Sequence, residues 1–208
     1  LAMDVKKAVK TGFSTNPIVH SFAREVRKYD IPFELIDSFM RSMNMDITKK
    51  AYNAEEYKTY IYGSAEVVGL MCLMVFVRGN KRKYSELLPA AKALGAAFQK
   101  INFLRDYSAD SKLLGRIYFP GKNSKTFNED DKQAIINDIF ADLATAKKAI
   151  KKLPKNSRYG VELAYKNFYH LTKTAQNTPL EQLKKQRISL PNSKKIRIYG
   201  WIRLKSSF

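Results

Sequence analysis

A chain of 208 residues with 45% hydrophobic residues is long enough to bury one sizeable core. The 38 Lys and Arg residues outnumber the 19 Asp and Glu, and the net charge of +19 favours anionic partners such as diphosphates, anionic lipids or nucleic acids. The single cysteine excludes an internal disulfide, and without a run of about 18 uncharged apolar residues we predict no membrane span.

The first fifty residues contain three helical patterns. A helix is predicted over 1–10, stopping near Gly12, and because the chain does not begin with Met we expect its start to be cut. Asn16 and Pro17 begin the second helix, since Asn caps free N–H groups and Pro is tolerated at the first helical position. Pro32 opens the third. The side chains expected to face inward in the second and third helices are Ile18, Phe22, Val26, Phe33, Ile36, Phe39, Met40 and Met43.

A central helix is predicted over 55–78, because the pattern is apolar nearly all round after Lys58. Gly63 and Gly69 would each cost up to about 1 kcal/mol in this helix, which is understandable where another helix or a ligand approaches closely. Cys72 lies in the apolar pattern with no His at helical spacing. We therefore interpret it as a small core residue and not as a nucleophile.

The next helix, predicted over 84–109, carries a polar strip. Gln99, Asn102, Asp106 and Asp110 are three or four residues apart and therefore share one helical face. Two neighbouring carboxylates repel each other, but a divalent cation reverses that effect, and Mg²⁺ prefers oxygen ligands beside a substrate phosphate. The strip therefore predicts a magnesium–diphosphate site, with a solvated acidic face as the alternative.

Two arginines and a second acidic pair sharpen this hypothesis. Arg105 within the helix and Arg116 just beyond it could bind diphosphate oxygens in bidentate fashion. Asp138 and Asp142 have the same spacing as the first pair, but no Gln, Asn or Arg stands at matching offsets. We interpret this second pair as a solvent-facing strip.

The remaining chain continues the helical pattern. After a break over 114–121, helices are predicted over 127–152 and 158–176, and a short one begins at Thr178. The inner stripe of the first of these helices is expected at Ile135, Ile139, Leu143 and Ile150. The basic, amphipathic tail over 194–204 would either dock on the domain or lie on a membrane surface. Strand signals are nearly absent, so we expect an all-α fold of about eight helices around one cavity.

Two signatures carry a resemblance to a known family. The second Asp-rich signature of the squalene and phytoene synthase family is matched at Gly95, Gln99, Asn102, Arg105, Asp106, Asp110, Arg116, Tyr118 and Pro120. A second signature extends from Tyr60 to Val75, with departures at Ile61 and Glu66. The chain therefore resembles this family, most closely its bacterial phytoene synthase branch. The resemblance covers nearly all of the chain and is weakest in the last thirty residues.

The resemblance implies an all-α, single-domain isoprenoid synthase fold, with helices around a central apolar cavity and without the family's N-terminal helices. Residues 1–178 would form this partial domain, and the basic segment 179–208 would be part of it or peripheral. The family's first Asp-rich motif has no counterpart before Tyr60. We therefore expect an N-terminally truncated chain that is inactive, or nearly so, on its own.

The implied activity is a prenyl transfer in carotenoid biosynthesis. Two geranylgeranyl diphosphates would condense head to head, through a cyclopropyl diphosphate, to phytoene. Mg²⁺ or Mn²⁺ would be required, and no nicotinamide cofactor. The alternatives are a squalene or dehydrosqualene synthase that uses farnesyl diphosphate, and a non-catalytic relative that acts as an assembly or scaffold protein.

The resemblance and the charge distribution together set the expected partners and location. We expect no nucleic-acid partner, because Lys and Arg are spread over many helices without an RNA-recognition motif. The partners would be a prenyl diphosphate and, as an open alternative, a peripheral membrane surface. The expected location is the cytoplasm, with peripheral binding to the inner face of the membrane left open.

Family roles are carried over position by position. The expected metal ligands are Asn102, Asp106 and Asp110. The expected catalytic residues are Arg105, Asp106, Asp110 and Tyr118. The residues expected to bind substrate are Tyr60, Ser64, Val68, Gly69, Cys72, Leu94, Phe98, Gln99, Asn102 and Arg116. Asp46 is given no more than a supporting role, and whether Phe168 or Tyr169 lines the cavity stays open.

Overall fold

A computed structural model describes residues 1–113 and 115–206. Leu114, within the predicted helix break, and Ser207 and Phe208, at the end of the basic segment, lie outside the described residues. The described part contains ten α-helices, α1 to α10, with one π-helical turn over Tyr62–Glu66 and no strand. The helices span Ala2–Thr11, Pro17–Lys28, Phe33–Thr48, Ala54–Ile61, Val67–Phe76, Lys81–Leu113, Glu129–Ile150, Lys155–Asn177, Leu180–Leu183 and Asn192–Ser206.

Asparagine side chains begin several of these helices. Asn16 accepts hydrogen bonds from the backbone N–H groups of Ile18 and Val19, as predicted for the start of α2. Asn53 and Asn128 each form a capping box at the starts of α4 and α7. These caps use N–H groups that have no partner inside the helix, which explains why the starts were readable from the sequence.

Which face of a helix is buried was predicted less well than where the helix begins. In α2, Ile18 and Phe22 are exposed, and the buried side chains are Val19, Ala23 and Val26. The prediction was therefore wrong for two of three positions. The real face packs against α1, and choosing between faces one residue apart requires knowing where the partner helix lies.

Similar corrections apply to α3 and α7. Ile36 is buried as predicted, whereas the other predicted residues of α3 are only half-buried, and the remaining buried positions are Leu35, Ser42 and Met45. In α7, Ile139, Leu143 and Ile150 are buried as predicted, but Ile136 takes the place assigned to Ile135.

The centre of the fold is the crossing of α5 and α6. A Cβ on Gly69 would lie 2.8 Å from the carbonyl oxygen of Ala91, and one on Gly95 would lie 2.5 Å from that of Ala65. Any larger side chain would therefore separate the two backbones. The prediction that Gly69 marks a close helix approach is confirmed.

The core has one large cluster and two smaller ones. The large cluster brings together α4, α6, α7, α8 and the chain after Pro179, whose contribution is Leu180, Leu183, Ile188, Leu190, Ile198 and Ile202. The second cluster joins α1, α2, α3 and α5. Side chains of α6 belong to the large cluster and also pack against the second cluster, so this helix connects the two parts of the core.

One helical segment among the described residues, Ala54–Phe76, is long and apolar enough by length and composition to cross a bilayer, with a mean hydropathy of 1.5. Of its most apolar window, 44% is buried inside the molecule. The core helix of a protein that never enters a membrane meets the same criteria, so this is weak evidence for a span.

Candidate active site

An apolar cavity of about 610 Å³ lies between α5, α6, α7 and α8. Six of the residues predicted to bind substrate line it, namely Ser64, Val68, Gly69, Cys72, Leu94 and Phe98. The opposite wall is formed by small and aliphatic side chains of α7 and α8, including Ala146, Ile150, Val161 and Ala164. The arrangement is suited to an apolar chain, because few polar groups of the wall would lose hydrogen bonds to water.

Two of the residues expected to bind substrate differ from their predictions, Cys72 in its exposure and Tyr60 in its position. Cys72 is exposed on the cavity side, so its interpretation as a core residue is wrong; the cavity opens beside it. Tyr60 is buried but lies outside the cavity, where its ring contacts Tyr52, Phe103 and Tyr118. The four-residue spacing places Tyr60 one turn before Ser64, but Ser64 lies within the π-helical turn over 62–66, which changes the helical phase.

The polar strip continues along the same helix. Phe98 borders the cavity, and Asp106 follows eight residues later, which corresponds to about 12 Å along a helix. Gln99 and Asn102 lie half-buried between them, and Asp110 is one turn further. One helix therefore carries an apolar-lined region and an acidic region in succession.

Two arginines hold Asp106. Arg105 donates from Nε at 3.1 Å to each carboxylate oxygen, and Arg187, from the segment before α10, donates from Nε to Oδ1 at 2.6 Å. Burial disfavours the charged carboxylate, but these two guanidinium groups outweigh it and lower the pKa of Asp106. Arg187 was missed in the sequence, because nothing in its local pattern connects it to a helix 81 residues away.

The surroundings of Asp110 shift its pKa in the opposite direction. Burial raises its pKa, and the charges of Asp106 and Asp46 raise it further, while Arg116 opposes them. The backbone N–H of Arg116 donates to the Asp110 carbonyl at 2.9 Å, which brings the residues after α6 back to the strip. A carboxylate with a raised pKa among other acids is stabilised in its charged form by any added cation.

A third acid, Asp46 at the end of α3, belongs to the same group. It accepts hydrogen bonds from the hydroxyls of Tyr60 at 2.9 Å and Tyr118 at 3.5 Å. Arg116 donates to its backbone carbonyl, and its guanidinium lies 4.0 Å from the carboxylate. Burial raises the pKa of Tyr60, so this hydroxyl stays a donor at all ordinary pH. These contacts are compatible with the supporting role expected for Asp46, which stays a prediction; its place at a Met-rich helix end was its sequence signal.

The donor set fits a hard divalent cation. The Oδ1 atom of Asn102 is buried and has no hydrogen-bond partner among the residues that the structure describes, which is costly for an amide oxygen unless a ligand uses it. It shares its strip with two carboxylates, so all the donors are oxygens, as Mg²⁺ prefers. Within residues 1–113 and 115–206, however, no three His, Cys, Asp or Glu side chains are already spaced to hold a metal ion. The ligands would therefore have to move together.

The second acidic pair is not a solvent-facing strip. Lys100, on the opposite side of α6, lies 2.5 Å from Asp138 and 2.7 Å from Asp142. The Lys100 side chain is only 12% exposed, and that of Asp142 only 23%. The interpretation is wrong for Asp142 because α6 packs on this face of α7, a contact that the local pattern did not reveal.

A second cavity, of about 540 Å³, lies between α8, α10 and the segment before α10. Its wall combines the cations Arg105, Arg187 and Lys195 with apolar side chains, namely Leu163, Phe168, Leu171, Ile188, Leu190, Ile196 and Tyr199. Phe168 stacks on Phe98 with ring centroids 3.8 Å apart, so this pair separates the two cavities. Tyr169 packs instead against Phe140 and Tyr165, and it lines neither cavity.

Comparison with known proteins identifies similar chains. The sequence model of a family described as "Squalene/phytoene synthase" matches residues 3–194. Phytoene synthase 1, chloroplastic, of Arabidopsis thaliana is 32% identical over 130 residues, which are 61% of this chain and 29% of that protein. Phytoene synthase 2, chloroplastic, of Solanum lycopersicum is 32% identical over 125 residues, covering 59% of this chain and 38% of that protein. The chain thus spans less than two fifths of the length of these relatives.

Solved structures match over almost the whole chain. The squalene synthase HpnC from Alicyclobacillus acidocaldarius superimposes with a TM-score of 0.64 at 16% identity, covering 99% of this chain and 72% of that one. YisP from Bacillus subtilis gives 0.68 at 20% identity, with 96% and 83% covered. At these identities the likeness concerns the fold alone. The all-α fold predicted from the sequence is confirmed.

Proposed function

The chain belongs to the squalene/phytoene synthase family, and we propose that the protein joins two prenyl diphosphates head to head. The observation that supports this best is the layout of α6. Leu94, Gly95 and Phe98 border the apolar cavity, and Asp106 follows about two turns later. A molecule with a long apolar tail and an anionic head matches this order along one helix.

Geranylgeranyl diphosphate is the proposed substrate and phytoene the proposed product, formed through a cyclopropyl diphosphate. The support is that two of the similar curated proteins carry the name phytoene synthase. Farnesyl diphosphate, giving squalene or dehydrosqualene, is the alternative, supported by the fold likeness to a squalene synthase. No nicotinamide cofactor is expected for the phytoene reaction.

Arginines would bind the diphosphate. Arg105 and Arg187 now pair with Asp106, and Arg116 lies beside Asp46. Guanidinium groups bind phosphate oxygens in bidentate fashion. An arriving diphosphate would compete for these groups, so Asp106 would lose arginine partners as the substrate binds. Binding of the substrate and release of this carboxylate would then be coupled.

The released carboxylate would join Asn102 and Asp110 in holding Mg²⁺, with Mn²⁺ as a substitute. When bound, the ion supplies positive charge that stabilises the departing diphosphate. Gln99, one turn before Asn102, is placed to support the amide. Asp46 would stay beside this group and hold the hydroxyls of Tyr60 and Tyr118 through its hydrogen bonds.

The cavity would protect the reacting carbon. Loss of diphosphate from a prenyl chain leaves an allylic cation, which water would capture. The aliphatic walls, with Leu94 and Val161 on opposite sides, exclude water and offer few groups that could react. The Phe98–Phe168 stack lies between this cavity and the second cavity, whose wall contains Arg105. These two rings would have to move apart to let one substrate place its tail in the apolar cavity and its diphosphate at Arg105.

The test is product formation by the protein in its natural length. Wild type is incubated separately with geranylgeranyl and farnesyl diphosphate in the presence of Mg²⁺, and the hexane extract is analysed by chromatography and mass spectrometry. Asp106→Asn is run in parallel, with Asp138→Asn as the matched control, because it removes the same charge from a pair of the same spacing. We expect product from wild type and from Asp138→Asn only.

Each outcome has a defined meaning. A C40 hydrocarbon from geranylgeranyl diphosphate supports the phytoene reaction, and a C30 hydrocarbon from farnesyl diphosphate alone would replace it with the squalene-type alternative. Absence of product from both, with a helical circular dichroism spectrum that shows folding, would favour a non-catalytic assembly or scaffold protein.

A further inference from the structure

The last helix, α10, has apolar side chains on two opposite faces. Ile198 and Ile202 are buried against the rest of the molecule. On the other side, Ile196 and Leu204 are 69% and 68% exposed, and with Gly200 between them they follow a spacing of four residues. A helix that packs on one side needs no apolar stripe on its outer side, so the outer stripe requires its own explanation.

Aromatic side chains border this outer stripe. Tyr199 is 48% exposed and Trp201 is 50% exposed. The ammonium group of Lys166, from α8, lies 4.9 Å from the centre of the Trp201 ring. Half-exposed Tyr and Trp beside cations are typical of side chains that sit at the boundary between lipid and water.

The charge around the stripe has a single sign. The segment over 184–206 contains eight Lys and Arg and no Asp or Glu, and Lys195 and Arg197 are exposed beside Ile196. Two copies of this face would repel each other, which disfavours a symmetric dimer through it. A surface that offers negative charge above an apolar layer would satisfy both the cations and the stripe.

We propose that the outer face of α10, with Ile196, Tyr199, Gly200 and Leu204 at its centre and the surrounding Lys and Arg residues, docks on the surface of an anionic lipid bilayer. The helix would lie in the plane of the interface with Ile196 and Leu204 among the first acyl-chain atoms. The proposal does not depend on the enzymatic activity, because it uses only the exposed side of one helix.

The position of α10 gives this docking a consequence. Lys195, Ile196 and Tyr199 also line the second cavity, whose far wall contains Arg105 and Arg187. A bilayer in contact with α10 would therefore lie beside the opening of a cavity with apolar walls and basic groups. An anionic amphiphile that leaves the bilayer would find both apolar side chains and cationic groups in the wall of this cavity.

The experiment measures vesicle binding by the protein in its natural length. Vesicles of phosphatidylcholine with about 30% phosphatidylglycerol are compared with phosphatidylcholine alone in a sedimentation assay, at low and high salt. The variants are Ile196→Ser combined with Leu204→Ser, and separately Arg197→Gln. The matched control is Ile18→Ser, which removes an equally exposed isoleucine from α2.

We expect binding to anionic vesicles only, weaker at high salt. Arg197→Gln should reduce the affinity about fivefold, the usual effect of one cation near an anionic surface. The double variant should reduce it by at least about tenfold, because two apolar side chains no longer enter the acyl region. Ile18→Ser should bind like wild type. Trp201 fluorescence, obtained as the difference from Trp201→Phe, should shift to the blue with anionic vesicles.

Three results would overturn the proposal. The first is unchanged vesicle binding by the α10 variants while circular dichroism shows them to be folded. The second is equal binding to neutral and anionic vesicles. The third is a Trp201 that a soluble quencher cannot reach before vesicles are added, because another part of the protein or a second copy would then cover the face.

Discussion

Two pairs of aspartates with the same four-residue spacing have different roles in this molecule. Asp106 and Asp110 lie on α6, and Asp138 and Asp142 on α7. The second pair closes around one ammonium group, that of Lys100. The ammonium group between the two carboxylates occupies the position that a metal ion would need, so in this structure the pair joins two helices.

The first pair is not neutralised in this way. Arg105 and Arg187 both bind Asp106, whereas no cation among the described residues is hydrogen-bonded to Asp110, whose pKa is raised by burial and by other acids. The two carboxylates of this pair are thus in different electrostatic states. The comparison shows that the spacing only places carboxylates side by side, and that groups from other elements decide whether the pair can bind a ligand.

Neutralising one acid in each pair should produce the largest difference between the two pairs, and this difference is in turnover. Asp110→Asn is expected to reduce turnover of the proposed prenyl diphosphate substrate at least about 100-fold, since it removes one of the proposed metal ligands. Asp142→Asn should leave turnover per folded molecule unchanged, because its partner is a lysine on the far side of α6. Steady-state kinetics with radiolabelled substrate would measure both, and equal losses in the two variants would remove the distinction between the pairs.

Removing the lysine should affect stability and not activity. Lys100→Met leaves two carboxylates facing each other with Asp142 largely buried, and is expected to cost about 1–3 kcal/mol in the free energy of unfolding. The control is Lys152→Met, which breaks an exposed pair with Glu86 and should lower the free energy of unfolding clearly less, because water screens this pair. Urea unfolding followed by circular dichroism would measure the difference. Equal costs would mean that the second pair is, after all, only a surface feature.

Arg187 tests whether the first pair depends on a distant segment. Arg187→Gln should reduce kcat/KM about tenfold, because the proposed charge-assisted contact of Arg187 to the diphosphate would be lost. The neighbouring Lys185→Gln serves as the control, since its exposed side chain lines neither cavity and its removal should change little. An unchanged kcat/KM in Arg187→Gln would show that Asp106 needs no help from the segment before α10.

The smallest expected effect concerns stability and pH within the first pair. The pKa of Asp110 is raised, so its ionised form costs stability at neutral pH, and this cost disappears as pH falls through the folded-state pKa. The pKa of Asp106 is lowered, so its ionised form adds stability at neutral pH that is lost as pH falls. Asp110→Asn should therefore raise the melting temperature slightly at neutral pH, and Asp106→Asn should lower it. Scanning calorimetry at neutral and acid pH would check the signs, and identical shifts would contradict the asymmetry.

Much of the fold was predictable because its signals are local. The helix start at Asn16 depends on a cap within three residues, and the close approach at Gly69 depends on the absence of a Cβ. The π-helical turn was not predictable, since a 3.6-residue pattern continues through it. As a consequence, the sequence prediction placed Tyr60 on the cavity face, whereas in the structure that face begins within the turn, at Ser64.

By itself, the sequence determined that the chain is all-helical, that one strip of α6 carries Gln99, Asn102, Asp106 and Asp110, and that Ser64, Val68 and Leu94 lie on apolar faces. These properties follow from spacing along one helix. Only the tertiary structure decided that Arg187 holds Asp106, that Asp46 joins the acids and that Lys100 neutralises the second pair. The physical reason is that electrostatic state and burial depend on neighbours far away in the chain, which no local periodicity records.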